Sequence, residues 1–354
     1  MVLYGLYKHY AKELYKNHIQ FSSGFQKIDE KDFEVVERKG IGHPDTLADG
    51  VAEAISIAYS EYCLKEFGVI LHHNLDKTSL VGGLVDIDFA KGKVLKPAKL
   101  ILNGRMSDSF GSKKIDFKKM QVQVAEKYLK SVLPYLDVKK GLEIISYTNS
   151  YSHNPYWYHP RGKKDVPDSL NPHSNDSSAS VSYWPLSLVE KVVLEMEKLF
   201  YKNDSSPKFD FVGQDIKFMA VRKKHNVDIT ACIPFISTKT PNPAFYKGEL
   251  KKIHNGLMNI ARSYFPKHYE VNININTADN SGDVYLLLTG SCIEAGEEGV
   301  VGRGNKSRGV ISSVRPHSME ASHGKNPVYH VGKIFTVVTD SLSKSISEQQ
   351  LSIE

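Results

Sequence analysis

The sequence predicts a mixed α/β fold, and three features carry that prediction. Apolar residues recur at helical spacing in several stretches. Strand-length runs rich in Val, Ile and aromatic residues lie between those stretches. The order helix, two strands, helix, strand occurs twice, and in part a third time.

Taken in order, FEVVERK (33–39) reads as a strand. Over 45–67, Leu47, Val51, Ile55, Ala58 and Tyr62 recur every third or fourth residue, which predicts a helix. KTSLVGGLVDIDF and AKLILNGRM read as two strands, 117–133 as a helix and GLEIISYT as a strand. Residues 149–175, rich in Pro, Ser, His and Tyr, break the pattern and predict a long loop, with a lid as one role for it. Ser187 and Glu190 form a capping box before a helix striped with Val189, Val192, Val193 and Met196. VGQDIKFMAVR and NVDITACIPFI are strands, and a helix carries Leu250, Ile253, Leu257 and Ile260. YEVNININ and DVYLLLTGS are strands ahead of a glycine-rich segment and a last helix bearing Val331, Ile334, Phe335 and Val338. At the start, Leu3, Leu6, Tyr10 and Leu14 suit a short amphipathic helix or a simple extension. The pattern thus divides into an extension over 1–32, a first α/β unit over 33–148, the loop 149–175, a second unit over 176–278 and a third over 279–354. The true domains are expected to be discontinuous.

Composition narrows the function. Lys and Arg number 46 against 40 Asp and Glu, a net charge of +6, which suits small anionic ligands and is too diffuse for a nucleic-acid surface. Hydrophobic residues at 41% and charged residues at 24% fit a globular protein. Cys63, Cys232 and Cys292 are too few and too far apart for a disulfide framework or a paired-cysteine zinc site, so a reducing, cytoplasmic setting is expected. No run approaches the roughly 20 apolar residues that span a bilayer. The N-terminus also lacks the apolar core of a signal peptide. Neither membrane nor nucleic acid is an expected partner.

Four stretches carry chemistry. In KGIGHPDTLADG, Pro44 suits a first helical turn and Asp45 complements the helix dipole, so the motif reads first as a helix start. Yet His43 sits where an anion would bind. Asp45 and Asp49 stand at i and i+4 on one face, which suits either a solvated surface or a hard cation such as Mg2+. In EAGEEGVVGRGNKSRG, glycines allow close backbone approach while Arg303, Lys306 and Arg308 supply charge; Asn305 between Gly304 and Lys306 rules out a P-loop. Glu297 and Glu298 beside the cations favour a metal-plus-phosphate site over a mobile turn. In RPHSMEASHGKNPVYHVGK, Asn326 reads as an N-cap and Pro327 as the first helical residue. That places Lys325, His330 and Lys333 about a helix N-terminus, where cations oppose the dipole unless an anion lies between them. In SNDSSASVSYWPLS, Asp176 lies among hydroxyls and by itself reads as a turn. Together the stretches provide the equipment for a magnesium-bound polyphosphate.

In this order, VERKGIGHPDTLADGVAEA, ILHHNLD, NDSSASVSYWPLS, VGQDIKFMAVR and VGRGNK with RPHSMEASHGKNPVYHVGK closely resemble the archaeal-type S-adenosylmethionine synthetases, over about 33–342. The resemblance implies three similar α/β domains intertwined in sequence, and a homodimer or dimer of dimers with active sites between subunits. It implies an ATP:L-methionine S-adenosyltransferase in which methionine sulfur attacks C5′ of ATP. The triphosphate leaves and is cleaved to pyrophosphate and phosphate, with Mg2+ and K+ as cofactors. By position in the motifs, His43 would assist departure of the C5′ oxygen, with Lys325 and Arg303 as the other catalytic residues. Arg303, Lys325, His330, Lys306 and Lys333 would hold the triphosphate, and Asp176 with Ser178 would contact the nucleotide. Asp45 would bind the metal with Asp49 supporting it, Glu298 would meet the metal or the methionine ammonium, and Asp176 is also open to the metal. The chain departs from the pattern at Ala179, Ser180, Ser182, Trp184, Glu298 and His317, and around His73 and Leu75. Those changes point to an altered substrate range. The same scaffold acting on a methionine analogue or as a polyphosphate hydrolase, or a silent partner subunit, are the alternatives.

Overall fold

The computed structural model describes residues 26–167, 173–202, 207–282 and 284–351; the pattern carried by Leu3, Leu6, Tyr10 and Leu14 lies outside them. Strand β1 (Phe33–Lys39) turns through Gly40–Gly42 into helix α1 (Pro44–Phe67). His43 caps that helix, Pro44 occupies its first turn, and Gly68 closes it at a positive φ of 70°. The run expected as one strand over KTSLVGGLVDIDF is two, β2 (Ser79–Val81) and β3 (Leu84–Asp88). They part at Gly82 and Gly83, where a Cβ would lie 2.2 Å from the backbone of Gly296 and 2.6 Å from that of Ala98. Strand β3 pairs with β4 (Lys91–Lys96) as a surface ribbon whose lysine-rich second half gave no apolar signal.

Next come β5 (Ala98–Leu102), α2 (Phe117–Val132), β6 (Leu142–Ser146) and α3 (Leu188–Lys198). Then follow β7 (Lys217–Lys223), β8 (Asn226–Cys232), α4 (Pro243–Tyr264) and β9 (Glu270–Ile275). The chain continues through β10 (Gly299–Val300), β11 (Ile311–Ser312) and α5 (Val331–Leu351). DVYLLLTGS contributes only Leu286–Leu287, parallel to Phe235–Ile236.

Two sheets result. One has the order β9-β8-β7-β1-β11, the other β6-β5-β2-β10. The first is antiparallel except for the β8/β9 pair, and the second is antiparallel except for β5/β6. Helices α3 and α4 close one core over the first sheet through Val192, Met196, Leu257 and Ala261. Helices α1 and α2 close the other through Val51, Ile55, Ala125 and Leu129. Strand β1 therefore belongs to one core and α1, four residues on, to the other. The chain crosses back between β10 and β11. Of the passages between the cores, these two, the HPD turn and the GRGNKSRG loop, lie side by side.

A buried ion network fixes β1 in its sheet. Glu34 and Arg222 are enclosed and paired at 3.2 Å, and Ser187 Oγ donates to Glu34 at 2.5 Å while accepting from the Glu190 N–H as the helix cap. Glu190 in turn takes two bonds from Arg315, at 3.0 and 2.8 Å. Ser187→Ala removes a cap and a charge-assisted bond together. We expect a loss of about 2 kcal/mol, at the upper end for a helix cap, in the free energy of unfolding measured with urea.

Candidate active site

Helix α1 carries three carboxylates at four-residue spacing, Asp45, Asp49 and Glu53, on one face. Each accepts one backbone N–H from the glycine-rich segments opposite. Val300 donates to Asp45 Oδ1 at 2.9 Å, Gly302 to Asp49 Oδ1 at 2.8 Å and Gly324 to Glu53 Oε2 at 2.9 Å. Each also meets a basic side chain: Lys39 Nζ lies 2.9 Å from Asp45, His323 Nδ1 3.4 Å from Asp49 and Lys333 Nζ 2.5 Å from Glu53. The i, i+4 pair was open between a solvated surface and a cation site. Asp45 and Asp49 are in fact 7% and 3% exposed, because the 299–304 loop lies over them. That approach needs glycine: a Cβ on Gly299 would stand 2.1 Å from the Pro44 carbonyl oxygen, and one on Gly304 2.1 Å from Asp49 Oδ2.

The charge states follow from these contacts. Burial raises the Asp45 carboxyl, but the Lys39 ammonium and the Val300 N–H outweigh it and hold the group below its usual range. Burial wins at Asp49, which is raised despite His323 and the Gly302 N–H. Burial, reinforced by Lys39, pulls His43 down to about 4. The His43 ring is therefore neutral, and its Nδ1 accepts the Asp45 N–H at 3.1 Å, which leaves the proton on Nε2.

The last motif differs from expectation at its helix start. Helix α5 begins at Val331, and Asn326 with Pro327–Tyr329 forms a turn before it; Asn326 Oδ1 accepts the Val328 N–H at 2.9 Å. The cap on Val331 N–H comes instead from Asn175 Oδ1 at 3.0 Å, at the far end of the 149–175 loop. Lys325 is buried and already paired, 2.6 Å from Glu320 and 3.8 Å from Asp76, so its charge does not oppose the dipole unaided. His330, drawn to about 4 by burial, contacts Asn74 and Asn175 at 3.4 and 3.3 Å. His73 and Leu75 are fully buried, and the His73 ring is occupied by Ser56 at 2.8 Å and the Leu71 carbonyl at 3.0 Å.

A cavity of about 330 Å³ opens beside this construction, bounded by Asp49, Tyr183, Lys306, Arg308, Glu320 and His323. Lys306 donates to the Gly302 carbonyl at 2.8 Å. Of the departures at 179–184, Ser180, Ser182 and Trp184 fasten the segment to its surroundings: Ser180 to Ser318 and Thr339, Ser182 to Asp340, and Trp184 under Arg308. The wall itself is formed by Val181 and Tyr183. Arg303 and Glu298 are exposed and make no side-chain hydrogen bond or ion pair among the described residues. Asp176 is exposed and accepts the Ser177 N–H at 2.7 Å, with Ser178 two residues on. The described part of the 149–175 loop is pinned down: Trp157 stacks on His72 with ring centroids 3.8 Å apart, and Arg161 forks onto Asp165.

Sequence reasoning missed four residues here. Glu53 continues the 45/49 spacing and was open to discovery by that period. Lys39 and Asn305 meet only through tertiary structure, with Asn305 bonding the Lys39 N–H and carbonyl at 3.0 and 2.7 Å. Asp215, raised to about 7 by burial, accepts the Cys292 N–H at 2.8 Å behind the HPD turn. All three cysteines are free.

The profile of the S-adenosylmethionine synthetase (AdoMet synthetase) family matches residues 18–354. The chain belongs to this family. An S-adenosylmethionine synthase of Pyrococcus furiosus is 35% identical over 334 residues, 91% of this chain and 79% of that one. An uncharacterised protein of Streptococcus pyogenes is 40% identical over 338 residues, 93% of this chain and 82% of its own. Among solved structures, an unusual S-adenosylmethionine synthetase from Campylobacter jejuni shares the synthetase fold. It superposes with a TM-score of 0.50 at 15% identity, covering 89% of this chain and 74% of that one. The mixed α/β fold read from the sequence is thus the fold of the family.

Two tests address the site. The His43 ring signals in an NMR titration should stay constant between about pH 7.5 and 5, whereas an unperturbed histidine would titrate near 6.5. Gly299→Ala should lift the loop from the Pro44 carbonyl and cost about 1–3 kcal/mol in thermal or urea unfolding.

Proposed function

We propose that the chain is an ATP:L-methionine S-adenosyltransferase. The observation that carries this reading is the locking of the HPD turn to the GRGNK loop by the acids of α1, in a chain of this family. The methionine sulfur forms a bond to C5′ of ATP as the C5′–oxygen bond breaks, giving a sulfonium and a free triphosphate, which is then hydrolysed to pyrophosphate and phosphate. Neutral His43, with its proton on Nε2, donates a hydrogen bond to the departing oxygen. Arg303, Lys306, Lys325, His330 and Lys333 hold the triphosphate, and Asp176 and Ser178 contact the nucleotide.

Magnesium would be held by Asp45 and Asp49, with Glu298 on the adjoining loop, and when bound it neutralises phosphate charge. No group of three or more His, Cys, Asp or Glu among the described residues forms a metal cage by itself. Asp45 and Asp49 each retain unused acceptor capacity, which fits an ion that brings phosphate oxygens as its other ligands. Potassium is proposed as a second cation. A dimer with sites between subunits accords with Arg303 and Glu298, exposed and without a side-chain partner among the described residues. None of the described helices is long and apolar enough to cross a membrane, and a cytoplasmic enzyme is proposed.

The test is incubation with ATP, methionine, Mg2+ and K+, with products followed by mass spectrometry. S-adenosylmethionine with pyrophosphate and phosphate is expected. Phosphate without an adenosylated product would replace this reading with a polyphosphate hydrolase or a methionine-analogue enzyme, and no reaction would favour a silent subunit. His43→Ala should lower product formation by about 10²–10³-fold with the far-UV spectrum unchanged.

A further inference from the structure

We infer that Lys39 is a positioning residue for the triphosphate loop, an inference that rests on the adenosyltransferase reading above. Lys39 ends β1, in one sheet, yet its ammonium donates to Asp45 Oδ2 on α1 at 2.9 Å and to the Arg303 carbonyl at 2.8 Å. Its own N–H and carbonyl are gripped by the Asn305 side chain. Only 8% of the residue is exposed. One side chain thus joins a strand of one core, the first acid of the helix in the other core, and the backbone of the loop that carries Arg303 and Lys306.

The chemistry suits lysine. Its ammonium is a compact centre with three donors, two of which are used on a carboxylate and a carbonyl; Glu37 stands by at 3.6 Å. The Arg303 side chain has no partner among the described residues, so its direction depends on its backbone, and the Lys39–carbonyl bond fixes that backbone. Loss of the ammonium would leave Asp45 buried with only the Val300 N–H on it and would release the Arg303 carbonyl. Lys39 acts on the ligand only through these two groups.

Lys39→Met removes the charge at nearly constant shape, and Lys39→Arg keeps the charge. We expect Lys39→Met to lower kcat/KM for ATP by about a hundredfold, the scale of a displaced positioning group, with the KM for methionine unchanged. Hydrogen–deuterium exchange should speed up in the 299–305 peptide, whose Val300 and Gly302 amides donate to Asp45 and Asp49, while peptides of β7 and α4 keep wild-type protection. Lys39→Arg should recover part of both effects. Unchanged exchange at 299–305, ATP and methionine KM values that rise together, or no recovery with arginine would each overturn the inference. If the wild-type chain makes no S-adenosylmethionine, the adenosyltransferase reading fails separately, and the exchange measurement still decides whether Lys39 holds the loop.

Discussion

Buried carboxylates must be partnered, and that constraint organises this molecule. Asp45 and Asp49, buried, and Glu53, half-buried, lie on the face of α1 turned toward the glycine-rich segments, where the two aspartates would be costly alone. Each is satisfied by one backbone N–H and one basic group drawn from elsewhere in the chain. The consequence is geometric. A helix packed into one core dictates the path of two loops, one of which returns to the other core. Glycine at 299 and 304 is the steric condition for this, since any side chain would hold the loop away from the acids.

The same arrangement sets the electrostatics. Lys325 and Lys333 rest on Glu320 and Glu53, so the site holds its cations close together without an anion present. His43 and His330 are kept neutral by burial and add no further repulsion. In the proposed adenosyltransferase, a polyphosphate entering here would meet Lys325 and Lys333 already oriented, which is the general condition for stabilising charge on a leaving group. The aromatic pin of Trp157 on His72 and the cap from Asn175 onto α5 extend this fixity to the described residues of the 149–175 segment.

Much of this was legible in the sequence, for reasons that can be stated. Helices α1 and α2 and the Ser187/Glu190 box were visible because periodicity and caps are local signals. Strand β4 was invisible because a lysine-rich ribbon buries little, and KTSLVGGLVDIDF looked continuous because the Gly82–Gly83 break answers to distant backbone. The start of α5 was misplaced for a similar reason. Asn326 has the chemistry of a cap, but the cap is supplied by Asn175, 156 residues away in sequence. The motif residues were found as separate groups, whereas their mutual wiring through Lys39, Asn305 and Glu53 required the fold.

Strand β1 lies between β7 and β11, and its Glu34 is paired with Arg222, 188 positions later. During synthesis, most of the first core, from α1 through β6, can therefore gather long before the strand immediately preceding that helix has a sheet to join, and Ile293, Val301 and β10 complete it later. Until β7 and β11 emerge, Lys39 has no loop to grip, and the turn bearing His43 is a tether between a folded body and an unpaired strand. The HPD turn is thus among the last parts of the molecule to form, and chains that end before β7 would hold most of the first core while lacking the sheet that anchors β1.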